Sequence, residues 1–142
     1  TGITRVAKHI LADIVKGMFL NSARHLEILS EMKQHALGTY QAIGRHDFAG
    51  LASAIGYSWE LNQKLDKGTN PPEVSVILDA ILDYACSFKL LGAGGGGFLM
   101  IFAKDPVAAD RIRSVLKQNP PNPYARFVDW SLSLEGMKIA KS

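Results

Sequence analysis

Cysteine and long apolar runs are scarce in this chain. Of its 142 residues a single one, Cys86, is cysteine, so no internal disulfide can form. No apolar run approaches the roughly 20 residues that span a bilayer, and the first residues show no secretory signal pattern. We therefore expect a cytoplasmic protein with no membrane partner. Cys86 lies in an apolar segment without an activating histidine or acid beside it, so we expect it in the core.

Clustered positive charge and paired histidines are also absent. The net charge is +3, but basic and acidic residues are mixed, as in Arg45-His46-Asp47. A nucleic-acid site needs a basic stripe with interleaved aromatic residues, and the chain has none. The four histidines have no partner at metal-ligand spacing. We expect neither a nucleic-acid partner nor a metal site made by this chain alone.

Glycine, by contrast, is concentrated in one place. Five of the six positions from Gly92 to Gly97 are glycine, and two β-prone apolar segments flank them, Cys86–Leu91 and Phe98–Phe102. The spacing satisfies G-x-G-x-x-G, but a dinucleotide site needs a helix directly after the glycines, and here a strand follows. No Gly-Lys-Ser/Thr is present for a P-loop. The cluster predicts a specialised loop between two buried strands; the plain alternative is a tight turn.

Apolar spacing predicts that about the first 85 residues are helical. One helix is indicated from Thr4 to about Phe19. Ser22 and Asp47 are suitable caps for a second and a third helix, and Gly68-Thr69-Asn70-Pro71-Pro72 ends the third and opens a fourth. The inward-facing residues predicted for these three helices are Leu26, Leu29, Met32, Ala36, Tyr40 and Ile43; Phe48, Leu51, Ala52, Ile55, Trp59, Asn62 and Leu65; and Val74, Ile77, Leu78, Ile81 and Leu82.

After about residue 85 the sequence pattern no longer indicates helices alone. Asp105-Pro106 is an N-cap with proline at the first helical position, and it predicts a fifth helix. Residues 119–123 predict a loop, and the alternation from Tyr124 to Leu134 predicts a strand, followed by a last one at Met137–Ala140. The fold class is therefore α+β, an antiparallel sheet with a helical layer on one side.

Several motifs resemble one family. Lys89-Leu90-Leu91-Gly92-Ala93-Gly94-Gly95-Gly96-Gly97-Phe98 resembles the third signature motif of the GHMP kinases. The following segments are similar to the fucokinases of that family: Thr1-Gly2-Ile3-Thr4-Arg5, Trp59-x-x-Asn62, Gly68-Thr69-Asn70-Pro71 and Ala125-Arg126-Phe127-Val128-Asp129. The resemblance implies the family's ferredoxin-like C-terminal domain over residues 1–142, with a helical part at about 4–85 and a strand-containing part at about 86–142.

The resemblance also implies an activity. It is the ATP-dependent phosphorylation of L-fucose at its anomeric oxygen, with ATP and Mg²⁺ as cofactors. The family's phosphate-binding loop, aspartate and lysine are not found in this sequence, so we expect them upstream of Thr1, in a longer chain. The chain alone is then expected to contain no catalytic residue and to be inactive. Its implied partners are the N-terminal kinase domain of the same polypeptide, the sugar and ATP, and truncation favours dimerisation through exposed apolar surface.

The candidate cleft residues follow from the same resemblance. Thr4 and Arg5 begin the first helix, where they face an anion or sugar hydroxyls, or else act as a cap and an exposed cation. Asn62 lies on an apolar stripe, so its amide must bond to a backbone carbonyl or to a ligand. Asn70 is expected to be a helix cap first and a cleft residue second. The loop positions that border the cleft are Gly92, Ala93, Gly94, Gly95, Gly96 and Gly97.

Two alternatives to a fucokinase stay open at this point. A heptose-phosphate kinase of the same family shares the glycine motif and the style of the first five residues. A non-catalytic interaction module that kept the fold and lost the chemistry belongs to a different class. The identity of the sugar does not follow from the physical chemistry of these 142 residues.

Overall fold

The computed structural model describes residues 1–3, 7–92 and 97–135, except for the side chains of Ala7 and His9. Four helices come first and a hairpin and a fifth helix follow. The elements are α1 (Ala7–Phe19), α2 (Ala23–Gly44), α3 (Phe48–Leu65), a 3-10 turn (Lys67–Thr69), α4 (Pro72–Ile81), β1 (Ala85–Leu90), β2 (Leu99–Ala103) and α5 (Pro106–Gln118). This order confirms the helical first part and the α+β class.

Short polar side chains fix where two of the helices begin. An Asp47 carboxylate oxygen accepts from Gly50 N at 2.8 Å, and the Asp105 carboxylate accepts from Ala108 N at 2.7 Å. Each bond satisfies a backbone N–H that has no partner within its helix. Both predicted caps are confirmed. Ser22 precedes α2 as predicted, but its hydroxyl bonds the His25 ring at 2.9 Å and makes no cap bond.

The two strands form an antiparallel hairpin that carries the glycine loop at its tip. Leu90 pairs with Leu99 and Phe88 with Ile101, and an irregularity in register falls between Ala85 and Ser87. Cys86 lies at that irregularity and is exposed, so its predicted place in the core is wrong. Beyond β1, Leu91 N donates to Phe98 O at 2.8 Å and narrows the base of the loop.

One hydrophobic core joins the helices to the hairpin. It is formed by Trp59 of α3, by α4, by Ala85 and Leu90 of β1 and by Ile112 of α5. The predicted inward residues Val74, Ile77, Leu78 and Ile81 are all buried, which confirms the α4 stripe. Leu82 follows the end of α4 as its C-cap and is 57% exposed, so its predicted inward place is wrong. The core therefore holds the base of the glycine loop against α3, α4 and α5.

The stripe predicted for α2 is largely uncovered. Ile28 is the buried residue of α2, while Leu26, Ala36, Tyr40 and Ile43 are exposed, as is Phe48 at the start of α3. Among the described residues α2 packs mainly against α1 and α3, and much of its apolar face stays uncovered. Met32, Tyr40 and Ile43 line a groove between α2 and α3 instead.

The strand predicted at Tyr124–Leu134 does not form. Residues 124–135 have no strand partner within the described residues, and Val128, Trp130, Leu132 and Leu134 are exposed. A strand needs a neighbour to satisfy its backbone groups, and the sheet described here contains β1 and β2 alone. The last predicted strand, Met137–Ala140, lies outside the described residues.

Candidate functional site

The glycine loop leaves β1 and enters β2 through residues with left-handed backbone conformations. Gly92 has φ +76° and Gly97 has φ +86°, backbone angles that residues other than glycine rarely adopt. Among the described residues, no atom lies within 4 Å of a Cβ added at either position. The backbone conformation therefore favours glycine at both positions. Ala93, Gly94, Gly95 and Gly96 lie outside the described residues.

The first three residues run along the end of this loop. Gly97 N donates to Ile3 O at 3.0 Å, while the nitrogen and the hydroxyl of Thr1 donate to Gly97 O at 2.9 and 2.8 Å. Asn122 Nδ2 in turn donates to Thr1 O at 2.7 Å. A Cβ at Gly2 would collide with the Asn122 side chain and come within 2.9 Å of Ala125 N. The loop, residues 1–3 and the 122–125 turn thus form one hydrogen-bonded group.

Thr4 and Arg5 lie outside the described residues, but residues on either side of them are placed. Ile3 bonds to Gly97 and packs against the core. Ile10 of α1 lies 3.6 Å from the position that a Gly68 Cβ would occupy. The backbone before this pair therefore contacts the end of the glycine loop, and after it the Ile10 side chain lies beside the 3-10 turn.

Asn62 lies in the last turn of α3, and Asn70 lies in the connection to α4. Asn70 is the C-cap of the 3-10 turn, with its backbone N–H donating to Lys67 O at 3.3 Å, and Asp66 is the N-cap, with its carboxylate accepting from Gly68 N at 2.6 Å. The side chain of Asn70 does not cap α4, and its buried Oδ1 has no hydrogen-bond partner within the described residues. Asn62 is half-buried, and no hydrogen bond of its side chain is found among the described residues. No described contact joins either amide to Gly92 or Gly97.

Trp59 connects this region to the glycine hairpin. It is 4% exposed, its indole nitrogen donates to Thr69 O at 3.4 Å, and its ring meets Phe88 edge-on at 5.3 Å. Sequence reasoning placed Trp59 on a core stripe and missed this bridging role. Asn122 was missed as well, although asparagine beside proline is a typical turn signal that pointed to local hydrogen bonding.

Lys89 is a cation of β1 turned toward α3. Its ammonium group donates to the Ser58 hydroxyl, and burial lowers the pKa of Lys89 below its ordinary value. Lys89 is the second-last residue of β1, the strand that leads directly into the glycine loop. The contact ties that strand to α3 by a polar bond, next to the apolar contact of Trp59 with Phe88.

Comparison with known proteins decides the family. Residues 39–122 match the family model of the GHMP kinases C terminal domain, which is more than half of the chain. The chain belongs to the GHMP kinase family. It superposes on the L. major mevalonate kinase in complex with R-mevalonate with a TM-score of 0.71 and 21% identity, covering 88% of this chain and 37% of that one. That likeness confirms the fold.

Three GHMP relatives extend over nearly the whole chain. It is 56% identical over 142 residues to the L-fucokinase/L-fucose-1-P guanylyltransferase of Bacteroides fragilis and spans 15% of that protein. It is 25% identical to the bifunctional fucokinase/GDP-fucose pyrophosphorylase of Arabidopsis thaliana, of which it spans 13%. It is 32% identical to the D-glycero-alpha-D-manno-heptose 7-phosphate kinase of Campylobacter jejuni, of which it spans 39%. The chain thus corresponds to a minor part of each relative.

Within residues 1–3, 7–92 and 97–135, no three His, Cys, Asp or Glu side chains are grouped closely enough to hold a metal ion together. None of the helices described has the length and apolar character needed to cross a bilayer.

We expect Lys89→Met to raise the stability of the domain at neutral pH. The lowered pKa of Lys89 means that, between the folded and the unfolded pKa, the unfolded chain binds more protons, so stability increases with pH through that window. Below the window the charged form carries the full cost of burial. Methionine removes both the cost of burying the Lys89 charge and the increase in stability at alkaline pH.

Urea unfolding of the chain at pH 7 and at pH 10 measures the Lys89→Met effect. Lys33→Met, which removes an exposed charge from α2, is the matched control and should change stability little. A Lys89→Met variant less stable than the parent at pH 7 would show that the bond to Ser58 outweighs the cost of burial.

We expect Asn70→Leu to raise the free energy of unfolding by roughly 1 to 3 kcal/mol, because a buried acceptor without a partner costs about that much. Leucine has the same number of side-chain heavy atoms, branched at the same position, and needs no hydrogen bond. Asn62→Leu is the matched control, since its amide is half-buried and not wholly removed from water, and its effect should be smaller. Thermal and urea melts of the two variants measure the difference. A loss of stability in Asn70→Leu alone would mean that the amide is bonded in solution.

Proposed function

We propose that this chain is the C-terminal domain of an ATP-dependent sugar kinase that phosphorylates L-fucose at its anomeric oxygen. The observation that carries the proposal is the 56% identity, over the whole chain, to a protein named as an L-fucokinase. The domain extends over residues 1–142, with its helical part at about 4–85 and its strand-containing part at about 86–142. The enzyme acts in the cytoplasm.

The proposed reaction transfers one phosphoryl group. The anomeric oxygen of the sugar forms a bond to the γ-phosphorus of ATP, the bond from that phosphorus to the β–γ bridging oxygen breaks, and ADP leaves. The proton of the anomeric hydroxyl goes to a base. Such reactions depend almost entirely on positioning and charge neutralisation. This chain contributes the glycine loop, whose backbone at Gly92 and Gly97 borders the cleft together with residues 1–5 and the amides of Asn62 and Asn70.

The remaining parts of the reaction are assigned to another domain. The sequence contains no phosphate-binding loop of the family type, and within the described residues no three His, Cys, Asp or Glu side chains are grouped at one site. We place the base, the phosphate loop and the Mg²⁺ ligands in an N-terminal kinase domain of the same polypeptide, called the parent polypeptide below. Exposed apolar side chains on α1, such as Leu11 and Phe19, support a neighbouring domain. The isolated chain is then inactive, and its uncovered surface favours dimers.

A second candidate is supported by the 32% identity to a heptose 7-phosphate kinase. Release of ADP by the parent polypeptide, measured with L-fucose, D-galactose and D-glycero-D-manno-heptose 7-phosphate, separates the two. We expect kcat/KM for L-fucose to exceed the others at least 100-fold. Preference for the heptose phosphate would replace the proposed substrate. If the parent polypeptide releases no ADP with any of the three sugars, a non-catalytic module would be favoured.

A further inference from the structure

Lys89 places a positive charge at a half-buried position between β1 and α3. Its ammonium group donates to the Ser58 hydroxyl, and that bond uses one of the three N–H donors of a lysine. Within the described residues no carboxylate pairs with Lys89, and burial accounts for the lowered pKa of its ammonium group. A charge that is partly removed from water is normally paired with an opposite charge. The described residues therefore leave Lys89 with unused donors and without an anion.

Two neutral polar side chains of α3 lie on the side where Lys89 bonds. Ser58 and Asn62 are four residues apart, which puts them on the same face of the helix, one turn from each other. Asn62 is half-buried, and no hydrogen bond of its side-chain amide is found among the described residues. Ser58 also lines the groove between α2 and α3, so the partner of Lys89 has open space beside it. An ammonium, a hydroxyl and an amide together suit an anion with several oxygen atoms.

The place of Lys89 in the chain connects these donors to the candidate cleft. Lys89 precedes Gly92, the start of the glycine loop, by three residues, and the neighbouring Phe88 ring packs on Trp59 and fixes β1 against α3. The gain in stability expected of Lys89→Met means that the charge costs the fold some stability. Groups with such a cost are typical of binding and active sites, where proteins trade stability for function. These observations indicate that the missing anion is a ligand of the cleft.

We propose that Lys89, together with Ser58 and Asn62, binds a phosphate group in the cleft of the parent polypeptide. The inference rests on the proposed function, because a kinase reaction brings phosphate groups to the cleft in ATP, in ADP and in the sugar phosphate. Ser58 orients the ammonium group, Lys89 supplies the charge, and Asn62 supplies an amide N–H. A phosphate group has more oxygen atoms to accept these bonds than a carboxylate has, which favours it over an acidic side chain of the preceding domain.

Acetylation of lysines in the parent polypeptide, read by mass spectrometry, tests this site without turnover. The internal control is Lys104, an exposed lysine after β2 whose ammonium group donates to Asp83 O at 2.6 Å. With a ligand at about ten times its Kd, we expect acetylation of Lys89 to be slowed roughly 10-fold and that of Lys104 to be unchanged. Slowing by ADP assigns the phosphate to the nucleotide, and slowing by L-fucose 1-phosphate assigns it to the sugar phosphate. No slowing by either ligand, or equal slowing of Lys89 and Lys104, would overturn the proposal.

Two variants show whether the ligand lies at these three residues. Asn62→Asp puts a negative charge beside Lys89, so the ligand concentration that half-protects Lys89 should rise at least about 10-fold. Gln41→Asp adds the same charge at an exposed position of α2 and should raise it less than about 2-fold. Equal half-protection in Asn62→Asp and the parent would overturn the proposal. Absence of L-fucose turnover would instead contradict the proposed function, and the acetylation result at Lys89 would still stand.

Discussion

Gly97→Val in the parent polypeptide should lower kcat/KM for L-fucose about 100-fold, an effect of the size that a misplacement of about 1 Å produces in an active site. Gly97 has φ +86°, a conformation that costs a residue with a Cβ about 1 to 2 kcal/mol and a β-branched residue more. The backbone must either bear this strain or turn away. Turning away breaks the bond from Gly97 N to Ile3 O and displaces the end of the glycine loop.

The control for Gly97→Val is another glycine in open space. A Cβ at Gly38 of α2 would also meet no atom within 4 Å, but Gly38 lacks a positive φ. Gly38→Ala should therefore stabilise the helix by up to about 1 kcal/mol and leave kcat/KM unchanged. Steady-state kinetics and thermal melts of both variants make the comparison. If a folded Gly97→Val variant has the kinetic constants of the parent, the end of the loop is not part of the active site.

Trp59→Ala should destabilise the domain by about 3 to 5 kcal/mol, which is a large part of the 5 to 15 kcal/mol that typically holds a domain folded. The indole is 4% exposed, packs against Phe88 and belongs to the core that joins α3, α4, β1 and α5. Alanine leaves a cavity and also removes the donor to Thr69 O.

Urea unfolding of the chain, followed by circular dichroism, measures the Trp59 effect. Trp130→Ala is the matched control, because Trp130 is 79% exposed among the described residues. Its effect should stay within about 0.5 kcal/mol. Equal destabilisation by the two substitutions would mean that Trp130 is buried in solution and that the core described around Trp59 is incomplete.

Local chemistry explains which elements could be predicted from the sequence. The Asp47 and Asp105 caps and the apolar spacing of α4 act within a few residues, so these features were predicted correctly. The hairpin was also predicted, since two β-prone segments flank a glycine cluster. The GHMP family was identified from the glycine motif and confirmed by the family match.

The errors concern what covers a surface, which periodicity does not specify. The α2 stripe and the segment from Tyr124 to Leu134 have regular patterns, yet the described residues leave much of the first face and most of the second uncovered. Cys86 is exposed because neighbouring residues of a strand face opposite sides, and Ala85 and Ser87 take the buried side. Asn70 is a cap residue of the 3-10 turn, but its side chain does not cap α4.

Much of the candidate site stays a prediction. Thr4, Arg5 and residues 93–96 lie outside the described residues. Gly92 and Gly97 have the backbone conformation expected of the loop, and residues 1–3 lie against its end. No contact tests whether Asn62 and Asn70 face a ligand, since the groups that would surround such a ligand are proposed to belong to the preceding domain.

We propose that residues 1–142 are an essential but insufficient part of an L-fucose kinase. The most direct measurement is ATP-dependent formation of L-fucose 1-phosphate, followed by ³¹P NMR, with three proteins: the parent polypeptide, the same polypeptide ending before Thr1, and residues 1–142 alone. We predict product with the first protein and none with the other two. Full turnover by the polypeptide that lacks residues 1–142, or by those residues alone, would contradict the account.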